Sequence, residues 1–423
     1  MISALLTDLL GFWSEWVRPS AGLPTVAWSL LLAFAAAAGH LVQRYTGMPK
    51  VVGYTIVGTV VGFAGFEGAN WPLQGTSLFL LELGVAIVLF EAGGRLPLRW
   101  FRHNPMVLVQ SLLEALLTYF AVFWVLHWLD VPDPVAHPVA LVAIVASPAV
   151  LSRVAMDAHA SGPVTERALT LSTLNTLYAL TLGYAQAGLM ERAPMGLLQK
   201  LYPVAVVLGL SFVVGAIMAL ALRSALRVMS PTSENTSILL LAIIAAGAAV
   251  AAHLGGSAAL AALIGGVLLK QLNPKPWAWP RQLGTAASLL TMLMFVLVSV
   301  VAAQVDWSLP VASLVLSMIA VRLVAKVAGV AIANPGSGAS WKQALWLGFA
   351  MSPLSSVALL ITSNFVTASP LLGAMVTQIA LPAILLMEVL GAVLATVAIH
   401  AARETSLPWT PEAFNGGAED TQR

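Results

Sequence analysis

Six ionisable side chains stand inside runs of apolar sequence: Glu82, Glu91, Glu114, Arg322, Lys326 and Glu388. A charge at the centre of a bilayer costs about 3 kcal/mol or more, so each of these groups needs a partner or a function. Arg322 and Lys326 are four residues apart and share one helix face, where they could pair with Glu114 or extend to the membrane edge. Glu91 lies one turn before Arg95 and reads as half of a local ion pair, and Glu82 reads as a residue that orients packing. Glu388 sits well inside its run, and a structural and a functional role are both open for it. A neutral set accompanies these groups. Ser172, Asn175 and Thr176 fall on one helical face, either as helix-packing contacts or as oxygens lining a polar path. His40 and His253 stand alone near segment ends, as satisfied interfacial residues do.

Two Ser-Pro steps complete the candidate chemistry. Ser147-Pro148 lies in Val145-Ala146-Ser147-Pro148-Ala149-Val150, and Ser352-Pro353 in Ala350-Met351-Ser352-Pro353-Leu354-Ser355. Proline removes a backbone donor and clashes with the preceding turn, so a helix is expected to break at each site. Irregular backbone at membrane depth persists only where it is buried in protein or lines a polar cavity, so the pair of breaks marks a binding site.

The elements that must position these residues follow from composition. Of 423 residues, 59% are hydrophobic and 9% charged, and the apolar residues come in runs of membrane-spanning length. The chain reads as an all-α polytopic membrane protein. Its net charge of +2 is scattered through short loops, which excludes a nucleic-acid surface, and the lack of cysteine excludes disulfides and thiolate metal sites. Asp8 and the lack of a basic n-region make Met1 to Trp13 an interfacial lead-in helix and not a signal peptide. Thirteen apolar segments follow, near 27–43, 51–65, 77–94, 105–129, 136–152, 168–190, 200–222, 235–253, 257–269, 284–304, 308–333, 344–362 and 371–400. The second and ninth are short and glycine-rich, as tightly packed helices are.

Loop charge orients the segments. Fifteen basic residues, among them Arg44, Lys50, Arg95, Arg153, Lys270, Lys275, Lys342 and Arg423, fall on one side, against Arg18, Arg192 and Lys200 on the other. The positive-inside rule puts the C-terminus in the cytoplasm and the N-terminus outside, in a bacterial-type cytoplasmic (inner) membrane. Ala38-Gly39-His40-Leu41 and Ala251-Ala252-His253-Leu254 are 213 residues apart, and the Ser-Pro steps 205 apart. Both offsets relate a segment to the one seven places later, which reverses its direction across the membrane. Two inverted six-helix repeats with crossed discontinuous helices are expected, at about 24–190 and 234–402, joined by a linker helix at about 200–228. A short cytoplasmic tail, 403–423, follows the transmembrane domain. Asn334-Pro335-Gly336-Ser337-Gly338 follows no strand and reads as a turn. No metal cluster, activated nucleophile or nucleotide loop is visible, so neither an enzyme nor a cofactor is expected.

These residues carry a family pattern. Gly39-His40-Leu41, Met48-Pro49-Lys50-Val51-Val52-Gly53-Tyr54, Glu82-Leu83-Gly84 to Glu91, Ser147-Pro148-Ala149-Val150, Gly162-Pro163-Val164-Thr165, His253-Leu254 to Gly265-Gly266 and Phe295-Val296-Leu297-Val298 occur in order and at familiar spacing. The chain resembles the monovalent cation:proton antiporter superfamily, on the branch of bacterial sodium/proton antiporters and Kef-type potassium efflux systems. The resemblance implies a mobile core domain, a dimerisation domain and hence a homodimer, and elevator-like exchange of Na⁺ or K⁺ for protons across a lipid bilayer. It also implies ion oxygens from Ser147, Pro148, Asn175, Thr176, Ser352 and Pro353, with Lys326 compensating the crossed helix ends. One departure stands out. The family's titrating carboxylate on segment 6 is replaced by Thr176, which can offer an oxygen to a cation but no exchangeable proton. Proton coupling then falls to Lys326, Arg322, Glu114 or Glu388. Alternatively the fold carries an uncoupled ion or solute pathway, or is a non-transporting sensor or scaffold.

Overall fold

The computed structural model describes residues 23–66, 68–96, 98–190, 196–229, 234–273 and 281–406. The lead-in segment Met1 to Trp13, the basic residues Arg18, Arg192, Lys275 and Arg423, and the tail from residue 407 lie outside the described residues. Sixteen helices occupy the described chain. In order they are α1 (Leu23–Thr46), α2 (Lys50–Phe63), α3 (Gly75–Arg95), α4 (Leu98–His103), α5 (Met106–Trp128), α6 (Asp133–Ile144), α7 (Pro148–Asp157) and α8 (Pro163–Ala187). The remainder are α9 (Leu197–Val228), α10 (Glu234–His253), α11 (Ala258–Leu272), α12 (Arg281–Ala303), α13 (Leu309–Ile332), α14 (Trp341–Ala350), α15 (Ser356–Ala368) and α16 (Pro370–Ala401). Every apolar segment of the sequence is helical, and two are split, segment 5 into α6 and α7 and segment 12 into α14 and α15.

Local chemistry explains the splits and the starts. Pro148 cannot supply the amide that would continue α6, and Ser147 instead caps α7, its Oγ accepting from the Val150 N–H at 3.4 Å. Ser340 and Gln343 form a reciprocal capping box at the start of α14, which then stops at Ala350, before Ser352-Pro353. Ser308 caps α13 and Ser257 caps α11 in the same way as Ser147.

The helices pack in two groups. In one, α3 lies along α11, α2 along α12, and α9 against α11, with α1 on α2 and α10 on α9. In the other, α5 lies along α13, and the two split segments are held between them and α8 and α16. We call the first group the scaffold and the second the core bundle. The pair α5–α13 joins segment 4 to segment 11, seven places later, while α2–α12 joins segments 2 and 10 and α3–α11 segments 3 and 9, two contacts that a seven-place shift exchanges, as an inverted repeat requires. A close approach between α13 and α5 is at Gly329, where a Cβ would come within 2.5 Å of the Glu114 Cα. Only a residue without a side chain lets these two backbones meet there.

Eight helical stretches are long and apolar enough to cross a membrane, and α2, α11, α15 and most of α12 are shorter apolar helices. Exposed Leu, Val, Ile and Phe side chains cover the outer faces of α1, α5 and α9, as expected where lipid is the solvent.

Candidate functional site: a buried ion pair at crossed helix breaks

The two breaks meet. The Ser147 N–H donates to the Pro353 carbonyl at 2.9 Å, so the end of one split segment is hydrogen-bonded to the end of the other. Helix termination leaves the last carbonyls of α6 without intrahelical donors, at the negative end of the helix dipole. Arg322 of α13 takes two of the carbonyls at this break and one at the other. Its Nε donates to Ala143 O at 2.9 Å, one terminal nitrogen to Val145 O at 2.6 Å, and the other to Ser352 O at 2.6 Å beside the second break. Lys326, one turn on, donates to Ile144 O at 3.1 Å, and the Thr176 hydroxyl donates to Ala146 O at 3.1 Å. Four successive carbonyls, Ala143 to Ala146, thus each have a donor from α13 or α8.

Lys326 also makes the ion pair at the site, its Nζ lying 2.7 Å from Glu114 Oε1, with both side chains fully buried. The same oxygen accepts from Thr118 Oγ1 at 3.0 Å, and the other carboxylate oxygen accepts from Asn175 Nδ2. The Asn175 carbonyl oxygen in turn accepts from Ser111 Oγ at 3.2 Å. Glu114 is therefore neutralised by one ammonium and held by two neutral donors, which a buried carboxylate requires. Arg322 has no carboxylate partner among the described residues, and three carbonyl dipoles serve it instead.

Of the ten residues expected to bind the ion, compensate charge or couple the proton, nine lie around this crossing: Glu114, Ser147, Pro148, Asn175, Thr176, Arg322, Lys326, Ser352 and Pro353. The snorkelling alternative for Arg322 and Lys326 does not hold, because both are fully buried. Ser352 supplies its carbonyl, whereas its buried hydroxyl has no hydrogen-bond partner. Glu388 stands apart. It accepts hydroxyl bonds from Ser355 and Ser299, each at 2.9 Å, and forms no ion pair among the described residues. The Glu91–Arg95 pair forms at 2.5 Å.

Sequence reasoning passed over Ser111 and Thr118. Their signal was present, since Ser111, Glu114 and Thr118 follow the spacing of three and four that marks one helix face. Glu404 was missed as well. Its carboxylate, just past α16, accepts from the Val164 and Thr165 N–H groups at 2.7 Å each and from the Thr165 hydroxyl at 2.8 Å. It thereby caps α8, the helix that carries Asn175 and Thr176.

Two cavities approach the crossing from opposite ends of α8. One, of about 250 Å³, lies between α3 and α12 of the scaffold and α7 and α8 of the core bundle. It runs from Arg95, Arg153 and Glu166 to Pro148 and Thr173, the latter one turn from Thr176. The other, of about 400 Å³, is lined by Glu82, Tyr184, Ser363 and Asn364 near the far end of α8.

A polytopic helical membrane protein with two discontinuous helices hydrogen-bonded at their breaks, and cations set against their carbonyl ends, has the architecture of an ion-coupled secondary transporter. The comparison with protein families makes this specific. Residues 30–401 match the family described as sodium/hydrogen exchanger, transmembrane, and the chain belongs to that family of the monovalent cation:proton antiporter superfamily. No curated protein matches the sequence. Among solved structures, the sodium proton antiporter MjNhaP1 from Methanocaldococcus jannaschii at pH 8 is similar in fold, with a TM-score of 0.67, 16% identity, and coverage of 89% of this chain and 98% of that one. An electron-microscopy structure of MjNhaP1 is similar with a TM-score of 0.57 and 16% identity, covering 95% of this chain and 96% of that one.

Proposed function

We propose that the protein exchanges a monovalent cation, Na⁺ or K⁺, for protons, with the ion bound where the split helices meet. The observation that carries this reading is the buried Glu114–Lys326 pair hydrogen-bonded to Asn175 at the crossing. In the state described, the Lys326 ammonium occupies the place of a cation beside the Glu114 carboxylate. An incoming Na⁺ or K⁺ takes that place, with oxygens available from Glu114, the Asn175 side-chain carbonyl, the Thr176 hydroxyl and the backbone near Ser147 and Pro353. Lys326 then gives its proton to water in the adjoining cavity and remains neutral. One cation enters and one proton leaves, so the charge at the site is conserved. The carboxylate comes from α5 in place of α8, where Thr176 supplies a neutral oxygen only.

Arg322 keeps the carbonyl ends compensated in both states, because its guanidinium stays charged and holds three acceptors at once. Alternation follows if the core bundle, 106–187 and 309–401, moves as an elevator against the scaffold and joins the site first to the cavity of about 250 Å³ and then to that of about 400 Å³. The orientation set by loop charge, N-terminus outside and C-terminus inside a bacterial-type inner membrane, puts the first of these on the cytoplasmic side. A homodimer through the scaffold fits the same reading.

The test is cation-evoked proton flux in proteoliposomes. Wild type should exchange protons for Na⁺ or K⁺, and Glu114→Gln and Lys326→Gln should each abolish exchange while remaining folded. Absence of flux with every alkali cation sinks the proposal. The absence of a titrating group at Thr176 favours a second reading, an uncoupled pathway, which predicts cation uptake indifferent to an imposed pH gradient.

A further inference from the structure

Glu388 is the ionisable side chain that the Glu114–Lys326 exchange leaves unused. It is fully buried on α16, and among the described residues it has no cationic partner. The charged groups on the elements packed against α16 are engaged elsewhere. On α13, Lys326 is paired with Glu114 and Arg322 is bonded to carbonyls. On α7, Asp157 accepts from the Lys50 N–H of α2, and Arg153 lines the cavity of about 250 Å³. On α6, His137 is bonded to Tyr119, and Asp133 to His127. Lys50 and Tyr54 lie in the first two turns of α2, Lys342 lies in the first turn of α14, α15 carries no ionisable residue, and Arg281 begins α12 about 27 Å of helix before Ser299. The charge of a Glu388 carboxylate would have only hydroxyls to meet it.

Burial without a cation calls for a proton. Ser299 Oγ lies 2.9 Å from Glu388 Oε2 and 2.8 Å from the Phe295 carbonyl, and it has a single hydrogen to give. The Phe295 carbonyl already accepts the Ser299 N–H in the α12 ladder, so the hydroxyls are partnered in either state, and what favours the acid is that a fully buried carboxylate here has no cation to offset its charge. As a carboxylic acid, Glu388 can donate to Ser299 Oγ while Ser299 donates to Phe295 O. Ser355 completes the arrangement at 2.9 Å from Glu388 Oε1.

The position gives that proton something to control. Ser355 is the N-cap residue of α15, immediately after the second break, and Gly391, one turn from Glu388, packs on Pro353 of the break itself. Ser299 belongs to α12 of the scaffold. A single carboxyl group therefore joins the split helix of the core bundle to the other bundle. Repeat symmetry adds a separate observation: Glu388 follows Asn175 by 213 residues, the offset that also separates His40 from His253. At that offset Glu388 is the counterpart of Asn175, on the corresponding segment of the second repeat.

We propose that Glu388 is a proton-binding site that controls sliding of the core bundle along the scaffold. Protonated, it ties α16 to Ser299 and holds the arrangement described. When it releases its proton to water, the carboxylate withdraws from the apolar face of α12, and the bundle is free to move. This rests on the exchanger reading only in that the bundle must move. It does not need cation binding at Glu114.

The native chain contains no cysteine, so single cysteines report accessibility without background. Thr173→Cys lines one cavity and Asn364→Cys the other, and each is labelled in proteoliposomes by a membrane-impermeant maleimide. The ratio of the two labelling rates, each corrected for intrinsic thiolate reactivity, should change about tenfold per pH unit on one side of the Glu388 transition, as one titrating group requires. Glu388→Gln, which keeps the size but holds no exchangeable charge, should reduce this dependence to less than about twofold, while Glu388→Asp and Ser299→Ala move its midpoint. Infrared difference spectra across the same pH step should contain a carboxylic-acid band that Glu388→Gln lacks. A Glu388→Gln protein with wild-type pH dependence overturns the proposal, as does a wild type whose ratio ignores pH. Should Glu388→Gln fail to fold, unchanged midpoints in both Glu388→Asp and Ser299→Ala overturn it equally. Loss of cation flux with the accessibility switch intact would instead sink the exchanger reading and leave this one standing.

Discussion

The strongest energetic consequence of the site concerns the pair Glu114–Lys326. Lys326→Met removes the ammonium and leaves Glu114 buried with only the Thr118 and Asn175 donors. Breaking a buried pair from one side costs about 3–5 kcal/mol, because the remaining charge is uncompensated. Glu114→Gln leaves the opposite problem, an ammonium held by the Ile144 carbonyl and an amide oxygen. The double variant removes both charges. Its amide can still accept from Thr118 or Asn175, so the residual loss is one or two neutral hydrogen bonds, about 1–2 kcal/mol. The double variant should therefore be more stable than either single variant, by about 2 kcal/mol. Thermal and denaturant unfolding in one detergent, followed by tryptophan fluorescence, measures all four corners of the cycle. Destabilisation of the double variant equal to the sum of the singles would refute the pairing as an energetic unit.

Other consequences are more local. Arg322→Lys keeps the charge but loses the fork that reaches Ala143, Val145 and Ser352, and should cost about 2–4 kcal/mol in the same unfolding measurement. Gly329→Val forces a Cβ into the Glu114 backbone and should destabilise by about 1–3 kcal/mol and cut flux, whereas the same change at the open Gly209 should not. Glu404→Ala removes the cap on α8 and should cost about 1 kcal/mol, with faster amide exchange at Val164 and Thr165. Thr176→Asp returns a titrating group to α8. In a protein that conducts cations without proton coupling, it should introduce proton-coupled flux, and in one already coupled it should raise the number of protons exchanged.

The sequence by itself determined the spans, the two breaks and the polar faces, because each is written in neighbouring residues. Apolar runs fix the spans, Pro148 and Pro353 remove amides within their own turns, and spacings of three and four put Ser172, Asn175 and Thr176 on one face. The offset near 213 residues even related the halves. What a face meets is another matter. Helical periodicity put Arg322 and Lys326 on one side of α13 but was silent on which would take the carbonyls and which the carboxylate. Tertiary packing divided those roles, with Arg322 at the carbonyl ends and Lys326, 212 residues from its partner, on Glu114. Gly329 decided how close α5 and α13 come, and the meeting of α16 with α12 gave Glu388 its two serines. Such contacts join residues far apart in the chain across interfaces that no local pattern encodes. Thr176, legible from the start as a missing acid, was only half the fact: the crossing has its carboxylate, delivered from α5.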